Sequence, residues 1–587
     1  MAAQSGSDEG KDQHQRGDSF SRYIRRVESL LSSLYFWWAV CLFLAGVHAW
    51  SYRHSMNPDG MSYLDMASET LHGGPQNLVN GYWSPAYPAL ISLAFLIFRP
   101  SPILEFPVIH FVNFAVFSFV LLSFTFFLKS WLAVHRDDPS SKEKPHIISL
   151  CFCVFLYFTI EFITLSVVTP DLCVAGIVFL TAGICCRISL QGSDWRHFVA
   201  LGGTLGLGYY VKAALLPLGL MLIAVLFMWP LSCRFSRFKI LLSGLVLLIV
   251  TAPLVALVTS RVGHLSIGET GRLNYAWYAN GLHADVGWTG GVNDFHGTPK
   301  HPPRTLLGKP IILEFANPVN GTYPLWYDPS YWYAGAKVRF DFRGQLTALK
   351  ESLRFYHQAF EQMTSLFVGA LLLFLVLIHA GRQKILATPD CDFRCLLVWP
   401  IMACLMYAPV HVESRFLGAF FVLFWLALYR LLWRRVANVV MVVVLEAVLC
   451  TLLISISAHS LVEGARGVRG MIGSDRPDYL NVAAALQAAG VTSGDRLATV
   501  GPAFGAYYAR CTGTRVTAEI VEADEFRYLT AEDLGRVRER LAGIGVKALV
   551  ATDKPVNATS DDWRDVMVSG SPRYSIMIVA TSTPTGK

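Results

Sequence analysis

The feature that most restricts this chain is its series of long apolar runs. They fall near residues 33–50, 103–132, 146–166, 169–190, 198–211, 213–230, 239–258, 362–380, 396–410, 416–433 and 437–458. Crossing a bilayer takes about 20 predominantly apolar residues in a helix. Hydrocarbon offers no partner to an unpaired backbone N–H or C=O, so a chain with many such runs must fold as a helical bundle. The predicted fold class is an α-helical polytopic membrane protein of about 11 transmembrane helices. The run at 198–211 would rise only about 21 Å and meets the next run at Lys212, so the chain is predicted to reverse there. With 53% hydrophobic and 16% charged residues, the chain is too apolar for a disordered protein and too poor in charge for a large soluble one.

Orientation follows from the short loops. With the N-terminus inside, twenty Lys and Arg residues fall in the N-terminal segment and inner loops, against four (Arg53, Arg99, Lys212 and Arg415) in the outer ones. That is the asymmetry expected of cytosolic loops. The net charge of +7 is therefore an insertion signal spread over many loops, and nucleic acid is excluded as a partner. The first 20 residues lack the apolar core of a signal peptide, so the first run is expected to serve as the anchor.

The predicted division is a cytosolic polar N-terminus at 1–32, a transmembrane domain at 33–458 and an external soluble α/β domain at 459–587. Two long external segments interrupt the membrane part: a first loop at 51–102 and a large aromatic-rich loop at 259–361. The apolar stretch that ends the first loop at Phe98 is read as interfacial, because a full span there would invert every later loop. In the tail, alternating patterns predict strands at Arg496–Val500, Arg515–Ile520, Val546–Ala551 and Tyr574–Ala580, with helices over Asp478–Ala489 and Ala531–Leu541. The Gly501-Pro502-Ala503-Phe504-Gly505 turn lacks the glycine spacing of a dinucleotide loop, and Pro502 removes an amide donor. Of 12 cysteines only Cys511 lies in the tail, so no disulfide framework is implied. Cys391 and Cys395 are spaced wrongly for a zinc knuckle. Sequons at Asn320 and Asn557 matter only in a eukaryotic secretory host.

Charged residues beside a span are costly, so each invites a functional question. In the first loop, Asn57-Pro58-Asp59-Gly60 leads into a short helix near Gly60–Thr70. Asp59 there fits either a helix cap or a reactive carboxylate with room beside it at Gly60, and Asp65 fits solvated helix surface. Asp171 follows Thr169-Pro170 near another helix start. Lys212 at the reversal fits a snorkelling anchor, and Glu413 with Arg415 in His411-Val412-Glu413-Ser414-Arg415 fits a surface pair. Taken together the reading changes. Asp59, Asp171, Lys212, His411, Glu413 and Arg415 reach one membrane face from four separate connections. A carboxylate with two cations at the lipid–water boundary suits a lipid-linked phosphate: cations hold and stabilise the leaving phosphate, and the carboxylate takes a proton from an attacking hydroxyl.

These residues resemble those of C-type glycosyltransferases that use polyprenyl-phosphate sugars, including the protein O-mannosyltransferases and the lipid A aminoarabinose transferase. The resemblance rests on Pro58-Asp59-Gly60-x-x-Tyr63-Leu64-x-x-Ala67, Tyr82-Trp83-Ser84-Pro85-x-Tyr87-Pro88, Thr169-Pro170-Asp171, Gly208-Tyr209-Tyr210-Val211-Lys212 and Glu413-Ser414-Arg415-Phe416. It implies a C-type glycosyltransferase fold with Asp59 as the catalytic carboxylate. Lys212 and Arg415, with His411 and Glu413 beside them, would face the donor phosphate. Tyr63, Asp65, Tyr82, Tyr87 and Asp171 are the candidate substrate contacts. The chain departs from the O-mannosyltransferase pattern of two adjacent acids by having Asp59-Gly60, and it has Phe416 where Tyr is frequent.

The implied activity is inverting transfer of a single hexosyl or pentosyl unit from a polyprenyl-phosphate donor to a lipid, glycan or protein acceptor on the outer face. The implied setting is a bacterial inner membrane, with the C-terminus in the periplasm. No cofactor is required by the sequence, although Asp59 and Asp171 are the pair that could share a divalent metal ion. Two other classes compete. A carrier or flippase would place charges at mid-span in paired repeats, and neither is visible. A scaffold or receptor would explain the external segments but not the polar cluster at the membrane.

Overall fold

The computed structural model describes residues 29–134, 144–191, 194–228, 237–282, 288, 296–315, 321–379, 391–433, 438–472, 477–556, 562–568 and 571–579. The polar first 20 residues and the sequons at Asn320 and Asn557 lie outside these. Each predicted apolar run forms a helix, but they are not alike. Among the described residues seven helices are long and apolar enough to cross a membrane, or eight if the Phe342–Gln362 and Thr364–His379 helices, bent by 72° at their junction, count as one span. Length alone therefore does not reach the expected eleven. Leu215–Met228, Leu396–Tyr407 and the interfacial-type helix Ala86–Phe98 are shorter apolar helices. A helix enclosed by other helices need not match the hydrocarbon thickness, and the chain is an integral membrane protein whichever way these are counted.

Two glycines bring the helix that precedes Lys212 into place. On Trp195–Val211, a Cβ on Gly202 would lie 2.3 Å from the Ser243 carbonyl oxygen, and one on Gly206 would lie 2.7 Å from Val250 Cβ. Two glycines four apart let this helix lie against Arg237–Val262, and Ser243 donates to the Phe198 carbonyl at 2.8 Å. The helix that ends at Lys212 is fixed in this way. Aromatic rings fill the centre of the bundle, with Phe124 stacked on Phe155 at 4.4 Å.

The soluble layer is a seven-stranded sheet in the order β1-β2-β4-β3-β5-β7-β6. β3 (Arg496–Val500), β4 (Arg515–Ile520) and β5 (Val546–Ala551) fall where predicted and are parallel. β6 (Trp563–Val568) and β7 (Ser571–Ile578) form an antiparallel hairpin on the β5 edge. β6 went unread in the sequence. The opposite edge departs from the predicted division: β1 (Arg304–Gly308) and β2 (Ile311–Glu314) come from the 259–361 loop, and Ile312 pairs with Ile520. The boundary at 458/459 also falls inside one continuous helix, Asn438–Ile472. The sheet is thus assembled from two chain segments, and Arg510 and Arg515 tie it to the Pro58–Gly73 helix.

Candidate active site

The site begins with two short segments that dock on each other. Pro58 opens the helix Pro58–Gly73, and neither Asn57 nor Asp59 makes a side-chain cap bond to it. The capping reading of Asp59 is therefore replaced. Asn57 instead accepts from the Val168 N–H at 2.8 Å. A Cβ on Gly60 would lie 2.7 Å from Val168 Cβ, so glycine is what lets this helix start approach the Val168-Thr169-Pro170-Asp171 segment. The space at Gly60 is filled by Val168, not left beside Asp59. Asp59 and Asp171 arrive next to each other because these two backbones touch.

Arg415 joins them. Its Nη2 donates to Asp59 Oδ2 at 3.0 Å, its Nε lies 3.6 Å from Asp171 Oδ2, and Nε also bonds Glu413 Oε2 at 2.5 Å. Lys212, just past the end of its helix, places Nζ 2.7 Å from Asp171 Oδ1 and 3.7 Å above the Phe416 ring, a cation–π contact. Asp171 is 2% exposed and also accepts from Thr169 Oγ1 at 2.9 Å. It is a buried anion satisfied by two cations and a hydroxyl, as burial requires. His411 bonds Glu413 at 3.1 Å and stacks on Tyr278 with centroids 4.0 Å apart. Burial pushes the Glu413 carboxyl up, but the His411 bond and the Arg415 guanidinium outweigh it and leave the group at about 2.

The structure separates the remaining candidates. Tyr82 lines the site's aromatic side, with its hydroxyl 3.2 Å from Asn274 and its ring against Trp277 and Trp326. Tyr63 and Tyr87 pack edge-on at 5.3 Å in the core behind it, and Tyr87 donates to Asn113 at 2.6 Å. Asp65 is not solvated surface. It is 4% exposed, accepts from the Thr322 N–H at 2.6 Å and hydroxyl at 2.9 Å, and faces Arg510 at 3.2 Å. Burial raises its carboxyl against these partners. Trp326, from the aromatic-rich 259–361 loop, also reaches the Asp59 carboxylate. Its Nε1 donates to Asp59 Oδ1 at 3.2 Å.

Asp59 and Asp171, the pair that could share a divalent ion, are bridged by the Arg415 guanidinium. Among the described residues, no group of three or more His, Cys, Asp or Glu side chains is placed to hold a metal. The arrangement can hold an anion between two cations, with a carboxylate alongside.

Among solved structures, ArnT from Cupriavidus metallidurans in the apo state aligns over 94% of this chain and 99% of its own, with TM-score 0.50 and 12% identity. The same protein bound to undecaprenyl phosphate gives TM-score 0.48 at 13% identity over 94% and 98%. The oligosaccharyltransferase AglB from Archaeoglobus fulgidus, in complex with an inhibitory peptide and a dolichol-phosphate, gives 0.42 at 13% over 89% and 70%. No family model and no curated protein sequence matches the chain. The chain has the C-type glycosyltransferase fold. The fold that the sequence motifs resemble is thus the fold observed.

Proposed function

We propose that this protein is a membrane glycosyltransferase that moves one sugar from a polyprenyl-phosphate donor to an acceptor hydroxyl by single inverting displacement. The observation that carries the reading is the cluster itself: Lys212 and Arg415 converge on Asp171, and Asp59 stands 3.0 Å from Arg415. Two cations at one helix-end face suit a lipid phosphate, and the fold is shared with ArnT. In the reaction, the acceptor oxygen forms a bond to the anomeric carbon and the bond from that carbon to the phosphate oxygen breaks. The acceptor proton passes to Asp59, and the lipid phosphate leaves as an anion held by Lys212 and Arg415. Tyr82 and the neighbouring Trp277 and Trp326 offer faces for a sugar ring. This reading places the site and the soluble layer on the external side of a bacterial inner membrane.

The test is a transfer assay on the purified protein in vesicles. It uses polyprenyl-phosphate hexoses and pentoses labelled in the sugar, with a membrane extract as acceptor. Free polyprenyl phosphate and a labelled acceptor are expected. Donor that crosses the vesicle membrane uncleaved would make the protein a carrier instead.

A further inference from the structure

The soluble layer approaches the Asp59 helix with one short segment, Ala503–Thr512, that follows the Gly501-Pro502 turn. Two of its side chains act on that helix from different directions. Arg510, 18% exposed, bonds Glu105 with Nε at 2.6 Å and Nη2 at 3.0 Å. It also reaches Asp65 at 3.2 Å and donates to the Ser68 hydroxyl. One guanidinium thereby ties the Pro58–Gly73 helix to the start of the Glu105–Val134 helix, with geometry that only its planar fork supplies. Asp65 is six residues beyond Asp59, about 9 Å along the same helix, so fixing one carboxylate limits movement of the other.

The second contact is shorter in its route. Phe504 stands edge-on to Trp326 with ring centroids 5.1 Å apart, and the Trp326 indole donates to Asp59 Oδ1. The Trp326 carbonyl is already held by the Ser62 hydroxyl at 2.7 Å and the Trp83 indole at 3.0 Å, and its ring is stacked on Trp277 at 5.5 Å. Phe504 packs edge-on against that ring from the soluble layer. Pro58, Met61, Trp326, Phe504 and Tyr507 line one cleft between the Asp59 helix and this segment.

We infer that the soluble layer is a positioning element for Asp59, with Phe504 fixing the indole that orients its carboxylate and Arg510 fixing the helix that carries it. Neither residue touches the reacting atoms. The inference rests on the proposed transfer reaction for its kinetic consequence but not for its structural one, and the two are measured separately.

The variants are Phe504→Ala, Phe504→Tyr and Arg510→Lys, with Val537→Ala as a matched control. Val537 is fully buried in the sheet's own core, away from the membrane helices. Phe504→Ala and Arg510→Lys are expected to lower kcat about 10- to 100-fold, the scale of a small misplacement of a catalytic group, with donor KM nearly unchanged. Phe504→Tyr, which keeps the ring, is expected to restore kcat. Val537→Ala is expected to lower Tm without lowering kcat at a temperature where the protein is folded. Independently of any transfer assay, hydrogen exchange over Pro58–Gly73 is expected to speed up in Phe504→Ala and Arg510→Lys and not in Val537→Ala. Unchanged exchange in both variants overturns the inference whatever the activity. So does a loss of kcat in Val537→Ala equal to that in Phe504→Ala. Faster exchange in these two variants, together with a parent protein that transfers no sugar, leaves the bracing standing and removes the proposed reaction.

Discussion

Arg415 Nη2 lies 3.0 Å from Asp59 Oδ2 although 356 residues separate the two in the chain. The same guanidinium faces Asp171 and Glu413, so one cation is shared among three carboxylates. Asp59 in turn has both oxygens engaged, one by Arg415 and one by Trp326. A carboxylate with one bond to each oxygen still has lone pairs free for an incoming proton.

Replacing Arg415 by Lys keeps the charge and removes the fork. Lysine is a point donor and lacks the separate Nη2 and Nε with which Arg415 meets Asp59 on one side and Asp171 and Glu413 on the other. Arg415→Lys is expected to remain folded and to raise donor KM about tenfold or more, read from transfer rate against donor concentration. An unaltered KM would reduce Arg415 to a structural tie between helix ends.

Lys212 has the simpler role. Its ammonium bonds Asp171 and lies over Phe416, and its side chain keeps 22% exposure, enough to meet a ligand. Charge-assisted bonds contribute about 1.5–3 kcal/mol, so Lys212→Ala is expected to raise donor KM about 10- to 150-fold. Asp171→Asn should give a smaller rise, since it leaves Lys212 free to meet the phosphate.

The sequence carried the residue types of this site but not their connections. Pro58-Asp59-Gly60 and Thr169-Pro170-Asp171 were readable as motifs. That Gly60 exists to admit Val168 was not, because the neighbour lies more than a hundred residues away. Asp65 looked like exposed helix surface because the partners that bury it, Thr322 and Arg510, come from two other segments. The strands β3, β4 and β5 declared themselves by alternating apolar residues. β1 and β2 did not, since a short hairpin in a Pro- and Gly-rich loop is stabilised by the β4 edge it joins rather than by its own pattern. Hydropathy found the long apolar helices but not the polar 21-residue helix Phe342–Gln362, and it cannot tell a helix that meets lipid from a shorter one enclosed by protein.

Glu413 offers a pH test. Its folded carboxyl, at about 2, is below the ordinary value of 4.5, so the ionised form is favoured by folding. That contribution is present above about 4.5 and is lost as pH falls toward about 2. Glu413→Gln is expected to lower Tm relative to the parent at neutral pH, and the gap is expected to narrow as the buffer is taken below about 4.5. A gap that stays constant or widens on acidification would show that the His411 and Arg415 bonds do not stabilise the fold through this charge.

Orientation can be read by labelling, but not through the native thiol of the tail. Cys511 is 3% exposed, and burial pushes its thiol up to about 12, so it should resist reagents from either side. Tyr528, 72% exposed in the soluble layer, is the better reporter. Tyr528→Cys is expected to react with an impermeant maleimide without opening the membrane that carries the protein. Reaction only after permeabilisation would invert the topology read from the Lys and Arg distribution.

Asp59→Asn decides whether this carboxylate is chemistry or architecture. The amide oxygen can still accept from the Trp326 indole, and Asp59 makes no cap bond to its helix, so the helix start does not depend on it. Arg415 would lose one anionic partner but keep Asp171 and Glu413, so no buried cation is left uncompensated. The variant should therefore insert and melt close to the parent. An amide cannot take the acceptor proton, and a general base supplies about 10²–10⁴-fold. Transfer is expected to slow by that factor with donor KM little changed, because the phosphate contacts belong to Lys212 and Arg415. Transfer at the parent rate, measured at saturating donor, would remove Asp59 as the base. Of the other carboxylates in the cluster, Asp171 is committed to two cations and Glu413 to His411 and Arg415. The 37% exposure of the Glu413 side chain would make Glu413 the next position to substitute.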